Sequence, residues 1–128
     1  MRVTIVIARV LLGLLFTVFG LNGFFHFIPQ PPPPPGYAAD YFRVVIMSGY
    51  MIVPFTLQVI GGALLLVNRY VPLALALLAP IVVNILMFHV FMSPGTVAPG
   101  ALATVLWFVV AYRVRSSFAP LFEPRPAR

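Results

Sequence analysis

Four apolar windows free of formal charge, or nearly so, divide this chain at about residues 3–27, 48–67, 71–92 and 97–114. Each approaches the roughly 20 helical residues needed to cross a hydrocarbon core of about 30 Å. Backbone groups in lipid must be satisfied inside their own segment, and four strands are too few to close a barrel, so the windows are read as helices. The first is interrupted only by Arg9. Because it is longer than the apolar stretch of a secretory signal, it is read as an uncleaved span.

Composition excludes the main alternative, a water-soluble globule. Of 128 residues 62% are hydrophobic and only ten carry a formal charge, too few to coat such a surface. The net charge of +6 comes from eight arginines against Asp40 and Glu123, with no lysine. No basic cluster lies beside stacking aromatics, so nucleic acid is not an expected partner. With no cysteine, the chain has neither a disulfide nor a thiolate ligand of its own.

The connections between windows follow from proline and glycine. Pro29, Gln30, five successive prolines from Pro31 to Pro35 and Gly36 exclude helix and favour an extended rod, because proline fixes φ and lacks an amide donor. This loop over 28–36 is read as a stiff spacer rather than a ligand for a proline-binding domain. Tyr37 to Met47, with Asp40 and Arg43 among apolar neighbours, reads as a short amphipathic helix lying in the membrane interface. Only Asn68 to Val71 separate the second and third windows, which predicts an antiparallel hairpin with Pro72 in the first turn of the next helix. Ser93-Pro94-Gly95 is a turn, Pro99 sits near a helix start, and Pro80 is expected to kink the third span. The tail over 115–128, interrupted by Pro120, Pro124 and Pro126, is expected to be irregular.

The arginines set the orientation. Arg2, Arg69, Arg113, Arg115, Arg125 and Arg128 fall on one side of the four spans and Arg43 on the other. The positive-inside rule places the larger group in the cytoplasm. The expected fold class is therefore all-α: a polytopic membrane four-helix bundle, N-in and C-in, forming a single multi-pass domain over 1–128 in a bacterial inner membrane.

In such a chain a polar side chain at membrane depth must find a partner within the bundle. Arg9, Asn22, His26, Gln58, Asn84 and His89 are the candidates. Arg9 has no acid at its depth, and is expected to snorkel or to bond carbonyls. Asn22 and His26, four apart, share a helix face, and both share a depth with Asn84 and His89, which are five apart and turned away from each other; Gln58 lies deeper as a floor. A histidine pair suits hydrogen bonding to a quinone carbonyl or proton transfer. Two histidines without a nearby acid or thiolate make a poor metal site, so no metal is expected. The competing reading has each histidine capping its helix or bonding to a neighbouring carbonyl. Gly13, Thr17, Gly20, Gly61 and Gly62 are read as small residues that let helices approach closely.

The run from Arg9 to Phe25, then Gly49 to Pro54, Gln58 to Leu66, Pro72 to Leu75 and Asn84 to His89, taken in order and spacing, resembles the DoxX family of small bacterial membrane proteins. The likeness covers about residues 5–95. It implies a four-helix membrane bundle and, for some members, association with thiosulfate:quinone oxidoreduction or with complexes that handle oxidative and thiol stress. Members of the family often carry an acid where this chain has Gln58. The function expected on this basis is redox-associated: binding of a quinone-like ring or a partner enzyme through the outer polar cluster of Asn22, His26, Gln58, Asn84 and His89. The expected partners are the lipid bilayer and other membrane or redox subunits, and an oligomer is allowed. The alternative is a non-catalytic structural or assembly subunit of a larger membrane complex.

Overall fold

A computed structural model describes residues 2–126. Helices α1 (Arg2–Phe25), α2 (Tyr37–Met47), α3 (Ile52–Val67), α4 (Val71–Met92), α5 (Ala98–Arg113) and α6 (Arg115–Phe118) follow in order, the first two joined by the segment 26–36 and the others by short turns, with no strand among the described residues. Two 3-10 turns, Pro94–Thr96 and Ala119–Phe122, complete the order.

Helix boundaries follow the breakers, with local corrections to the expected windows. α1 stops at Phe25 rather than 27 because His26 takes a left-handed conformation, φ 54°, and Pro29 follows three residues later. Asn68 and Tyr70, also left-handed, close the α3–α4 hairpin, and α4 matches its window of 71–92. Pro72 and Pro99 occupy the first turns of α4 and α5, where a missing amide costs no helical bond. α4 continues through Pro80 to Met92.

The second window is corrected most. Its helix begins at Ile52, not 48, because Gly49, at φ 80°, reverses the chain and turns α2 from α3 by 84°. The proline-rich segment is free of helix, and the amphipathic helix spans Tyr37–Met47 as its pattern predicts. The tail is not irregular throughout. It forms α6 and a 3-10 turn, together bent from α5 by 85°, because Phe118 packs against the core and holds it.

At 1.5 Å per residue, α1 and α4 are about 36 and 33 Å long, whereas α3 and α5, of 16 residues each, reach only about 24 Å. Thus α1 and α4 are individually long and apolar enough to cross a membrane. α2 with α3, and α5 with the segment after it, reach that size only as bent pairs.

The four longer helices close a ring of contacts, α1 on α3 and α5, and α4 on the same two. Leu12, Leu65, Leu75, Leu78 and Val110 are fully buried at its centre. Adjacent glycines on α3 serve different neighbours. A Cβ at Gly61 would lie 2.7 Å from Leu78 Cγ of α4, and one at Gly62 would lie 2.6 Å from Thr17 N and 2.8 Å from Gly13 O of α1. Hydrogen at both positions lets α3 fit between its two neighbours.

These contacts also sort the helix ends. Arg9, near the start of α1, meets Leu65 and Leu66 at the end of α3, and Trp107, late in α5, meets Leu75, early in α4. Arg2, Arg69, Arg113 and Arg115 therefore share one end of the ring. At the other, Tyr41 and Phe42 of α2 pack on Phe88 with ring centroids 5.1 and 5.0 Å apart, so Arg43 lies opposite that group.

Candidate functional site

Each polar candidate is positioned by the end or face of a helix. The Arg9 guanidinium donates to the carbonyl oxygens of Leu65 and, at 3.4 Å, Leu66. Those carbonyls belong to the last turn of α3, where no further helical turn supplies donors and the dipole is negative; Leu65 O also takes a 3.3 Å bond from the Asn68 amide. Of the two expected outcomes, carbonyl bonding is the one observed.

Asn22 and His26 stay close in space but do different work. Asn22 Oδ1 accepts from the Ile28 amide at 2.7 Å, and its backbone carbonyl accepts from the His26 amide at 2.8 Å. Asn22 thereby holds the reversal that ends α1, and the left-handed His26 turns its exposed side chain to a shallow hollow of about 160 Å³ lined also by Gly23, Phe24, Gly49, Ile52 and Phe55.

Asn84 sits elsewhere. Its Nδ2 donates to Tyr41 Oη at 3.1 Å, tying α4 to α2 beside a second hollow of about 160 Å³ walled by Met87, Phe88 and Phe91. His89, one turn further on, faces the 3-10 turn. Its Nδ1 lies 2.9 Å from Thr96 Oγ1, which in turn is 2.8 Å from the hydroxyl of buried Ser93. Gln58 is buried, 7% exposed, with its Cβ against Gly20 where α3 meets α1.

The five residues read as a cluster are thus divided among two hollows, a turn and a helix interface. Asn22 is brought to His26, while His26 and His89 line no common hollow. Among the described residues no three histidine, aspartate or glutamate side chains come together as metal ligands.

Several participants carry no signal of their own in the sequence. Tyr41 is the partner of Asn84 from 43 residues away, and no local pattern connects them. Thr96 and Ser93 as partners of His89 were within reach, since a histidine one turn before Ser-Pro-Gly-Thr invites such a bond. Trp107 Nε1 donates to Leu75 O at 3.0 Å, next to the Ala76 carbonyl that Pro80 deprives of a helical donor. Thr17 Oγ1 is buried without a hydrogen-bond partner where Gly62 abuts it.

No family model matches the chain, and no curated protein or solved structure is significantly similar to it. The resemblance to the DoxX family therefore rests on the residues quoted for it.

Proposed function

We propose that the chain is a four-span, N-in and C-in protein of a bacterial inner membrane that serves as a non-catalytic structural or assembly subunit of a larger membrane complex. One observation carries this reading: Arg9, Asn22, Asn84 and His89 each use their polar atoms in a contact that fastens one part of the fold to another. Polar groups arranged to receive a small molecule would converge on a common cavity. Here the two hollows are separate, and each is below the roughly 300 Å³ at which ligand pockets begin. In lipid, polar contacts of this kind fix helix register, which suits a part whose role is to present a shaped surface to other subunits.

A second reading is favoured by the His26 hollow. An exposed imidazole beside Phe24 and Phe55, whose rings meet edge to face at 6.0 Å, matches what a quinone-like ring requires: apolar walls and one hydrogen-bonding group. Under this reading the chain is DoxX-like and redox-associated, and a partner enzyme supplies the electrons.

Purification in mild detergent separates the two. The subunit reading expects a colourless protein that repeatedly brings down the same larger membrane proteins and carries no stoichiometric quinone in its lipid extract. A solitary chain with quinone bound, lost in His26→Phe but not in His89→Phe, would establish the second reading and sink the first.

A further inference from the structure

Where α5 ends, Val114 breaks the helix, and α6 with its 3-10 turn leaves at 85°. If α5 crosses a bilayer, this arm runs along the membrane surface, so any role for it there rests on the four-span membrane reading. The arm is held at both ends of its first turn. Phe118 packs on the core, while Arg115 donates to Tyr112 O at 2.7 Å and stacks its guanidinium 4.1 Å from the Tyr112 ring centroid. Beyond this anchor Leu121 and Phe122 are 76% and 84% exposed, large apolar side chains with nothing of the fold against them.

Charge identifies what covers them. The stretch from Arg113 through Arg125 holds three arginines against Glu123, and Arg2 and Arg69 stand at the same end of the ring. A single bond from Arg115 to Tyr112 leaves most of the five guanidinium donors for an external acceptor. α2 provides the internal contrast. It too turns sharply from its neighbour and exposes Phe42, Ile46 and Met47, yet Asp40 and Arg43 cancel. A segment that leaves its helix at a right angle and carries exposed apolar side chains beside arginines suits an anionic interface.

We propose that the arm formed by α6 and the Ala119–Phe122 turn is a foot that docks on anionic phospholipid, Leu121 and Phe122 entering the acyl boundary while Arg113, Arg115 and Arg125 engage headgroup phosphates. The foot selects for lipid charge, and α2 at the opposite end does not.

Because the chain contains no cysteine, one can be placed at will. The full-length Ser117→Cys protein, labelled with an environment-sensitive fluorophore, is reconstituted into nanodiscs of phosphatidylcholine alone or mixed with phosphatidylglycerol. In the anionic discs the probe should be blue-shifted and on the order of 10-fold less accessible to an aqueous quencher, with the difference shrinking as salt is raised. Arg113→Gln with Arg115→Gln should remove the lipid dependence, Leu121→Ser with Phe122→Ser should expose the probe in both discs, and the same probe at Met47→Cys in α2 should respond alike to both lipids. Insertion into both discs with the Ser117→Cys probe equally quenched overturns the foot alone. Failure to insert in either overturns the membrane reading and this inference with it.

Discussion

A guanidinium at membrane depth with no acid to pair with it has few stable environments, and Arg9 occupies one of them. The Leu65 and Leu66 carbonyls at the end of α3 receive no donor from a further helical turn, only the Asn68 cap amide reaching Leu65 O at 3.3 Å, and they carry the negative end of its dipole. Charge and dipole compensate without an ion pair, and α1 is held in register on α3. Arg9→Met should therefore lose about 2 kcal/mol of stability, the worth of a charged hydrogen bond in a partly buried site. The measurement is a reversible SDS titration in bicelles followed through Trp107, the single tryptophan. An unmoved midpoint would mean that the guanidinium reaches lipid phosphate instead. Because no acid lay at that depth, the sequence left snorkelling or carbonyl bonding for Arg9, without deciding between them. The identity of the carbonyls was not legible, because they lie 56 residues away and depend on how α1 is set against α3.

The helices meet where side chains are absent. Backbone atoms of Thr17 and Gly13 cannot move aside for a branched residue at Gly62, so α1 and α3 must separate. Gly62→Val should cost about 1–3 kcal/mol or more, whereas Gly95→Val, with nothing within 4 Å of a Cβ, should stay within about 0.5 kcal/mol. The same titration distinguishes them, and equal midpoints would remove close approach as the reason for the glycines. Small-residue spacing marked these positions beforehand. That Gly61 serves α4 while Gly62 serves α1 emerged only in three dimensions, since neighbouring positions on a helix point about 100° apart. Elements bounded by proline were readable in advance, α4 above all, whereas the left-handed His26 that ends α1 at Phe25 was not. Nor was the late start of α3, because the window was bounded by charge alone and Ser48-Gly49-Tyr50 at its edge carries none.

For the molecule as a whole, the arrangement of ends bears on topology. The ring places Arg2, Arg69, Arg113 and Arg115 at one end; with the proposed four crossings and that end inside, the proline-rich segment would lie outside. Alkaline phosphatase fused after Gly36 should be active and a fusion after Asn68 inactive; the reverse pattern would invert the topology. In the four-span arrangement proposed above, lengths of about 24 Å for α3 and α5 against a core of about 30 Å would call for local thinning of the bilayer or for a neighbouring subunit beside them. The sequence by itself determined where apolar helices run and most of the places where they stop, because proline and runs of lipid-compatible side chains act over a few residues. The tertiary structure alone decided that Asn22, His26, Gln58, Asn84 and His89 are dispersed rather than convergent, and that two segments turn through a right angle at opposite ends. Both depend on the rotation and register of whole helices, and these are settled by packing between residues far apart in the chain.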